Sequence, residues 1–408
     1  MYIKRALETV VKDLSSQYAA VLITGPRQIG KTTMLKKLME KEGNIREYVT
    51  LDDMEERNLA KNDPAMFFQL HKPPMFIDEI QYAPELFPYI KMQIDKENRP
   101  GDFWLTGSQI FKLMEGVQES MAGRTAVLSM SSLSQREIIG AKTAPFEIEL
   151  DKLRNDVNNI EPIDVSGMFS RIWMGSMPAL VSGRYTDRSI FYSGYVSTYI
   201  ERDVRELSGA IDSMKFYNFI VSAAARAGQL VNYKSIADDA DIDQVTAKSW
   251  LNIMERLGLI FYLHPYSNNV LKRTIKTPKL YFYDTGLVCY LTKWSSPETA
   301  MNGAMSGALF ENYVISEIVK SYQCCGVDMY VYYYCDRDAK EIDVLIEKDG
   351  KLHPVEIKKT VSPKRNAVSA FEVLDKAALE RGTGAVVCMA EKLGAIDRDK
   401  LIVPAWII

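Results

Sequence analysis

Val21-Leu22-Ile23-Thr24-Gly25-Pro26-Arg27-Gln28-Ile29-Gly30-Lys31-Thr32-Thr33 decides how the first third of this chain folds. The mostly apolar Val21-Leu22-Ile23-Thr24 reads as a buried strand, two glycines bracket a tight turn, and Met34-Leu35-Lys36-Lys37-Leu38-Met39 continues as an amphipathic helix. Gly25-x-x-x-x-Gly30-Lys31-Thr32 fits the phosphate-binding loop in full. Glycine angles aim successive N–H groups inward, and the helix's positive end adds to them, so an anionic phosphate is held by main chain. Gly25, Pro26, Arg27, Gln28, Ile29, Gly30, Lys31, Thr32 and Thr33 are therefore the expected ATP-binding residues. Lys31 is expected at the β- and γ-phosphates, and the Thr32 hydroxyl on Mg²⁺. The bland alternative is a glycine-rich strand-to-helix turn that binds nothing; strand, loop and helix in the required order speak against it.

Downstream, Glu47 to Asp52 reads as a second strand, and Met75-Phe76-Ile77-Asp78-Glu79-Ile80 is an apolar run that ends in two carboxylates. Asp78 is expected in the Mg²⁺ shell and Glu79 as the group that polarises the attacking water. A further strand, Phe103-Trp104-Leu105-Thr106-Gly107-Ser108-Gln109, ends in small polar residues. Thr106 and Ser108 are candidates for sensing the γ-phosphate or its water, with turn capping as the competing role. Arg124, between a helix and the next strand, is the candidate cation for the transferring phosphoryl group, against a surface salt bridge. A catalytic carboxylate beside the metal-binding Asp78, followed by a polar-tipped strand, resembles the additional-strand class of P-loop ATPases, which includes the AAA-type enzymes.

The chain has 408 residues, 47% hydrophobic and 25% charged, which is ordinary globular composition at a length of two or three domains. Its longest apolar runs are strand-sized, so no membrane span is expected. Charges at Lys4, Arg5 and Glu8 stand where a secretory signal needs its apolar core, and five cysteines, none in a metal-knuckle spacing, fit reduced thiols; the expected location is cytoplasmic. With a net charge of −3, nucleic-acid binding would have to come from a local basic face.

Lys142 to Val165 is polar and reads as a linker or insertion, and mainly helical segments follow from Phe169, including Ile190 to Val204. Val231 to Ala240 reads as a short helix, Asp241-Ile242-Asp243 as a turn, and a second helix carries Val245, Trp250, Leu251, Ile253, Met254 and Leu257 before Gly258. Strands at Leu259 to Leu263 and Leu280 to Tyr283 then enclose Lys272, Arg273, Lys276 and Lys279. Two helices and a hairpin in this order form a winged helix-turn-helix. Because acidic residues crowd the second helix, DNA contact is expected through the basic wing, against a purely structural or subunit-contact role.

The last third carries a second constellation. Glu341-Ile342-Asp343-Val344-Leu345-Ile346 reads as a strand, Lys348-Asp349-Gly350-Lys351 as a turn, and Leu352-His353-Pro354-Val355-Glu356-Ile357-Lys358 as the return strand. Alternation puts Glu356 and Lys358 on one face, where Asp343 can meet them, and the helical Glu311 lies upstream. Asp343 and Glu356 could share a divalent cation while Lys358 activates a water at a phosphodiester. The alternative is an exposed hairpin face with alternating charges. The set Glu311, Asp343, Glu356, Lys358 resembles the PD-(D/E)xK nuclease superfamily, although Glu341-Ile342 stand where that pattern has its proline.

Taken together, Gly25 to Thr33, Phe76 to Glu79, Leu105 to Gln109, Asp284-Thr285-Gly286-Leu287 and Glu356-Ile357-Lys358 resemble a prokaryotic family of AAA-type ATPases with a C-terminal restriction-endonuclease-like domain of unknown function. The resemblance implies an α/β protein: a parallel-sheet P-loop ATPase over 1–145, a helical region with winged helix-turn-helix over 146–295, and a nuclease-like domain over 296–408. It implies ATP binding, a cytoplasmic location and roles in DNA processing or defence; with the motif residues, ATP and Mg²⁺ are the expected cofactors, and a homo-oligomer is expected, the arginine being supplied in cis or by a neighbouring subunit. The competing expectation is a signalling or scaffold ATPase whose inactive nuclease-like domain binds a protein partner.

Overall fold

The computed structural model describes residues 2–108, 121–209, 212–267, 273, 276–336 and 340–408. Gln109 and Lys272 lie outside the described residues. The chain divides into two compact units, one of Met1–Leu133 with Arg256–Gly258 and Gln323–Gly326, the other of Ser134–Glu255, Leu259–Tyr322 and Val327–Ile408.

In the first unit β1 (Ala20–Thr24), β2 (Glu47–Thr50), β3 (Met75–Asp78), β4 (Phe103–Gly107) and β5 (Thr125–Ser129) form one sheet in the order β2-β3-β4-β1-β5. Every pairing is parallel. Strand β1 is buried along its whole length, and so are β3 and β4, which is why they read as continuous apolar runs instead of alternating ones. Strand β4 lies between β1 and β3, so an additional strand separates the phosphate-loop strand from the one that ends in Asp78. All three therefore finish at the same edge, where ligands of parallel sheets gather. Helix α1 (Leu7–Ser15) and helix α2 (Lys31–Lys41) flank β1 in sequence, and α2 buries Met34, Leu35, Leu38 and Met39 at helical spacing. Leu22, Ile77, Leu105, Phe67, Phe87 and Phe103 belong to the core.

The second unit departs from the expected polar linker. Leu150–Asn159 forms a helix, and Phe146 is buried, its N–H donating to Ser321 Oγ at 2.9 Å and its carbonyl accepting from Tyr322 OH at 3.0 Å. The apolar minority of that stretch, Phe146, Ile148, Leu153 and Ile160, docks it, so the segment is ordered structure. Ile190 to Val204 is helical as expected, with a π turn over Tyr195–Ile200 between α-helical Arg188–Gly194 and Glu201–Ser208.

Helices Tyr233–Ala240 and Gln244–Arg256 precede an antiparallel pair, β6 (Ile260–Leu263) and β7 (Lys279–Phe282). The chain beyond β6 joins the edge of β8 (Val331–Cys335): Tyr266 N–H donates to Tyr333 O at 2.7 Å and Tyr333 N–H to His264 O at 3.0 Å. Strand β8 begins a mixed sheet with β9 (Glu341–Lys348) and β10 (Lys351–Lys358), which are antiparallel and joined through Asp349 and Gly350, both at positive φ. Gly384–Cys388 and Lys400–Pro404 extend it in parallel from β10. Arg365–Lys376 is a 3₁₀ segment. Its buried Val368, Phe371 and Leu374 recur every third residue, the period of that helix.

Candidate functional site

The sequence places chemistry at two points, one in each unit. At the first, Gly25 adopts φ +139°, and a Cβ there would sit 2.1 Å from Met130 O, so only glycine lets β1 turn beneath that carbonyl. Gly30 at φ +91° is the N-cap of α2 and has open space where its side chain would be. Between them Gln28 also takes a left-handed conformation, φ 63°. The loop thus carries three of the strained turns that aim main-chain N–H groups at one concavity. Lys31 is 5% exposed, and its ammonium donates to Gly25 O and Pro26 O, both at 2.8 Å, which draws it across the mouth of the loop.

Asp78, at the end of β3, collects hydroxyl donors from three elements. Thr32 Oγ1 lies 2.8 Å from Oδ1 and 3.0 Å from Oδ2, Tyr48 OH donates to Oδ2 at 3.1 Å, and Thr106 Oγ1 is bonded to Oδ1. Burial raises the Asp78 carboxyl above its usual range, against the lowering bonds from Thr106 and Thr32. A threonine hydroxyl and a carboxylate one hydrogen bond apart are the donor set that Mg²⁺ with coordinated water takes, so these residues fit that ion.

The next residue, Glu79, sits in the left-handed region at φ 57°, ψ 44°, a conformation of about 1 kcal/mol or more in cost for a residue with a Cβ. Its N–H donates to Thr106 Oγ1 at 3.2 Å. Ser108 Oγ donates to Glu79 Oε2 at 3.3 Å, and Gln81 Nε2 donates both to that oxygen and to Ser108 Oγ, the latter at 3.2 Å. The structure therefore brings together Lys31, Thr32, Asp78, Glu79, Thr106 and Ser108. Arg124 is held elsewhere: its Nε pairs with Asp95 Oδ1 at 2.5 Å and Nη1 with Ala122 O at 3.3 Å. Arg27 reaches Tyr82 OH at 3.5 Å.

Sequence reasoning missed Tyr48 and Gln81. Tyr48 lies on a strand whose alternation is unreadable over four residues, and Gln81 is a lone amide in the apolar turn Ile80–Tyr82. The polar residue inside that turn was the available signal.

At the second point Asp343, Glu356 and Lys358 meet, and Glu311, on the helix Ser306–Gln323, feels the charge of Asp343. Strands β9 and β10 pair up to Val355 opposite Val344, and the next step of that register sets Glu356 against Asp343. Asp343 Oδ2 accepts from Ile357 N at 2.7 Å, and Lys358 Nζ is 3.9 Å from Asp343 Oδ2 and 2.5 Å from Glu356 Oε1. Glu311 accepts from Tyr281 OH at 2.7 Å. Burial, then the charge of Asp343, pushes Glu356 up to about 7, with Lys358 opposing. Among the described residues Glu356 Oε2 is buried without a hydrogen-bond partner. Two carboxylates thus stand together with a lysine ammonium beside them, but among the described residues no three His, Cys, Asp or Glu side chains form a ligand group.

The basic wing is not as expected. Lys279 is buried and paired with Glu341, and its Nζ lies 3.6 Å from Glu311 Oε1. Burial works to lower its pKa, but Glu311 and Glu341 outweigh it and raise it. Arg273 is sandwiched between the rings of Tyr266 and Tyr332, at 4.6 and 4.7 Å, and binds Tyr332 OH at 2.9 Å and Glu347 at 3.1 Å. Their charges are spent inside the unit because the hairpin docks on β8, and of the described wing cations only Lys276 is exposed. Among the described residues no helix is long and apolar enough to cross a membrane.

Comparison with known proteins matches three segments of the chain. Residues 17–139 match a family model described as "AAA domain", residues 167–298 a domain of unknown function (DUF8612), and residues 306–408 another (DUF4143). An uncharacterized protein of Mycobacterium tuberculosis is 27% identical over 345 residues, covering 84% of this chain and 71% of that one. One from Methanocaldococcus jannaschii is 22% identical over 363 residues, covering 81% and 71%. Among solved structures, the Walker-type ATPase of Pyrococcus abyssi superposes with a TM-score of 0.43 at 14% identity, covering 70% of this chain and 94% of that one. The five-stranded parallel sheet and the AAA match make the N-terminal part of the chain an AAA-type P-loop domain, while the domain matched at 306–408 has no known function.

Proposed function

We propose that the protein is a Mg-dependent ATP hydrolase. The observation that carries this reading is the convergence of Lys31, the Thr32–Asp78 pair and the strained Glu79 at the common edge of β1, β3 and β4. The loop N–H groups and the Lys31 ammonium, released from Gly25 O and Pro26 O, hold the β- and γ-phosphates. Thr32 and Asp78 hold the magnesium ion, which when bound neutralises charge on the phosphates. Glu79 orients the attacking water, steadied by Ser108. Lys31→Ala should abolish nucleotide binding, and Glu79→Gln should cut turnover by about a hundredfold or more while leaving ATP bound. Rates equal to wild type in both variants would overturn the reading.

For the rest of the chain the reading is finer and rests on less. A nuclease-like domain over 296–408 is supported by the meeting of Asp343, Glu356 and Lys358 on one hairpin face, by the helical Glu311 whose charge they feel, and by the unpartnered Glu356 Oε2. A winged helix over 146–295 is supported by its two helices and antiparallel pair. The internal pairing of Arg273 and Lys279 favours the second reading, a scaffold ATPase whose nuclease-like domain binds a protein partner. Labelled DNA titrated at two salt concentrations separates them: DNA engagement requires affinity that falls steeply with salt. Cutting in Mn²⁺ that vanishes in Glu356→Ala would establish the nuclease. In both readings the protein is a cytoplasmic homo-oligomer, with the stabilising arginine supplied by Arg124 of a neighbouring copy.

A further inference from the structure

Gln81 is 5% exposed and its two polar atoms are treated differently. Its Nε2 donates to Glu79 Oε2 and to Ser108 Oγ, while among the described residues its Oε1 is buried with no hydrogen-bond partner. Exchanging the amide's O and N would turn an acceptor onto the Glu79 carboxylate, so the donors fix the orientation. A buried orphan carbonyl costs about 1–3 kcal/mol, and such groups in native structures ask for an explanation. The local backbone supplies one. Because Glu79 turns left-handed at the end of β3, the short turn Ile80–Tyr82 folds back and returns Gln81 to the side of Glu79 from which Ser108 also reaches. Both donors converge on Oε2, and neither takes Oε1.

We infer that Gln81 is a positioning residue for hydrolysis: its amide N–H, with the Ser108 hydroxyl, fixes the rotamer of Glu79 and leaves Glu79 Oε1 for the attacking water. The inference rests on the ATP hydrolase reading. One O–H of the water then points at Glu79 Oε1, with an oxygen lone pair directed at the γ-phosphorus. As the new P–O bond forms, the bond to the β,γ-bridging oxygen breaks and its electron pair departs with ADP. The water's proton passes to Glu79 and from there to the released phosphate. A Glu79 held in one rotamer fixes where that water sits, and misplacement of the water costs about a hundredfold.

The test is steady-state ATP turnover and Mg-ADP affinity on the full chain for wild type, Gln81→Ala, Gln81→Glu, Glu79→Gln and the Glu79→Gln/Gln81→Ala double variant. Gln81→Ala should lower kcat by about tenfold to a hundredfold with KM and ADP affinity within about twofold of wild type. Because Gln81 acts through Glu79, the double variant should be no slower than Glu79→Gln alone. Gln81→Glu replaces the amide donor with a second carboxyl beside Glu79, so the pH dependence of its turnover should differ from that of wild type. Unchanged kcat in Gln81→Ala overturns the inference alone, as do losses that multiply in the double variant or a fall in ADP affinity that parallels kcat. An inert wild type that still folds would remove the hydrolase reading and the inference with it.

Discussion

Glu356 shows how one residue can report on a site's state. A carboxyl raised from the usual 4.5 to about 7 by burial and by Asp343 holds its proton in the native protein after the unfolded chain has released it. Between those values the folded state binds more protons, so its stability falls as pH rises, by on the order of 2 kcal/mol across the window. In metal-free protein, denaturant unfolding from about pH 5 to about pH 8 should therefore shift the balance in favour of Glu356→Gln over wild type by that amount. A constant difference would mean that Glu356 is ionised throughout. Arg124 is a contrasting case: both partners of its pair with Asp95 are partly exposed, so Arg124→Ala should change stability by less than about 1 kcal/mol, and a large loss of turnover in that variant would report on catalysis between copies. Both residues were legible in the sequence as charged groups of the right type. Their partners were not, because no local pattern says that Arg124 meets Asp95 or that Glu356 faces Asp343 across a hairpin.

At the scale of elements, the hairpin turn was legible in the sequence and the helix caps were not. The helix Thr285–Leu291 starts at Asp284, whose Oδ1 accepts from Leu287 N and Tyr192 OH, both at 2.7 Å, while Oδ2 accepts from Ser176 N at 2.7 Å and Ser176 Oγ at 3.0 Å. One buried carboxylate thus caps a helix and ties it to two distant segments. Asp284→Ala should cost about 3–5 kcal/mol, the lost cap plus buried donors left without an acceptor, read as a fall in the denaturant midpoint. A loss near 1 kcal/mol would reduce Asp284 to a simple cap. Parallel strands declared themselves as unbroken apolar runs, and the β9–β10 hairpin through Asp349-Gly350. The helix at Leu150–Asn159 hid in a polar stretch because only one of its residues, Leu153, is buried.

The whole molecule comprises two units with their own apolar cores. Nucleotide bound to the phosphate loop stabilises the unit that holds it, by about 2.7 kcal/mol at a ligand concentration a hundred times the Kd. Calorimetry with Mg-ADP should accordingly raise the unfolding temperature of that unit, and Lys31→Ala should erase the shift. Failure of Mg-ADP to move any transition would show that the loop does not bind nucleotide.

The linear sequence by itself determined the phosphate loop, the strand ending in Asp78 and Glu79, and the hairpin that carries Asp343, Glu356 and Lys358, because each is specified within a dozen or so consecutive residues by periodicity, turn chemistry and residue type. Only the tertiary structure decided what those groups touch. It placed β4 between β1 and β3, folded Gln81 back on Glu79, and turned Arg273 and Lys279 inward by docking their hairpin on β8. Charge is written along the chain, but whether it is offered to a ligand or neutralised in place depends on partners brought in from far away in sequence.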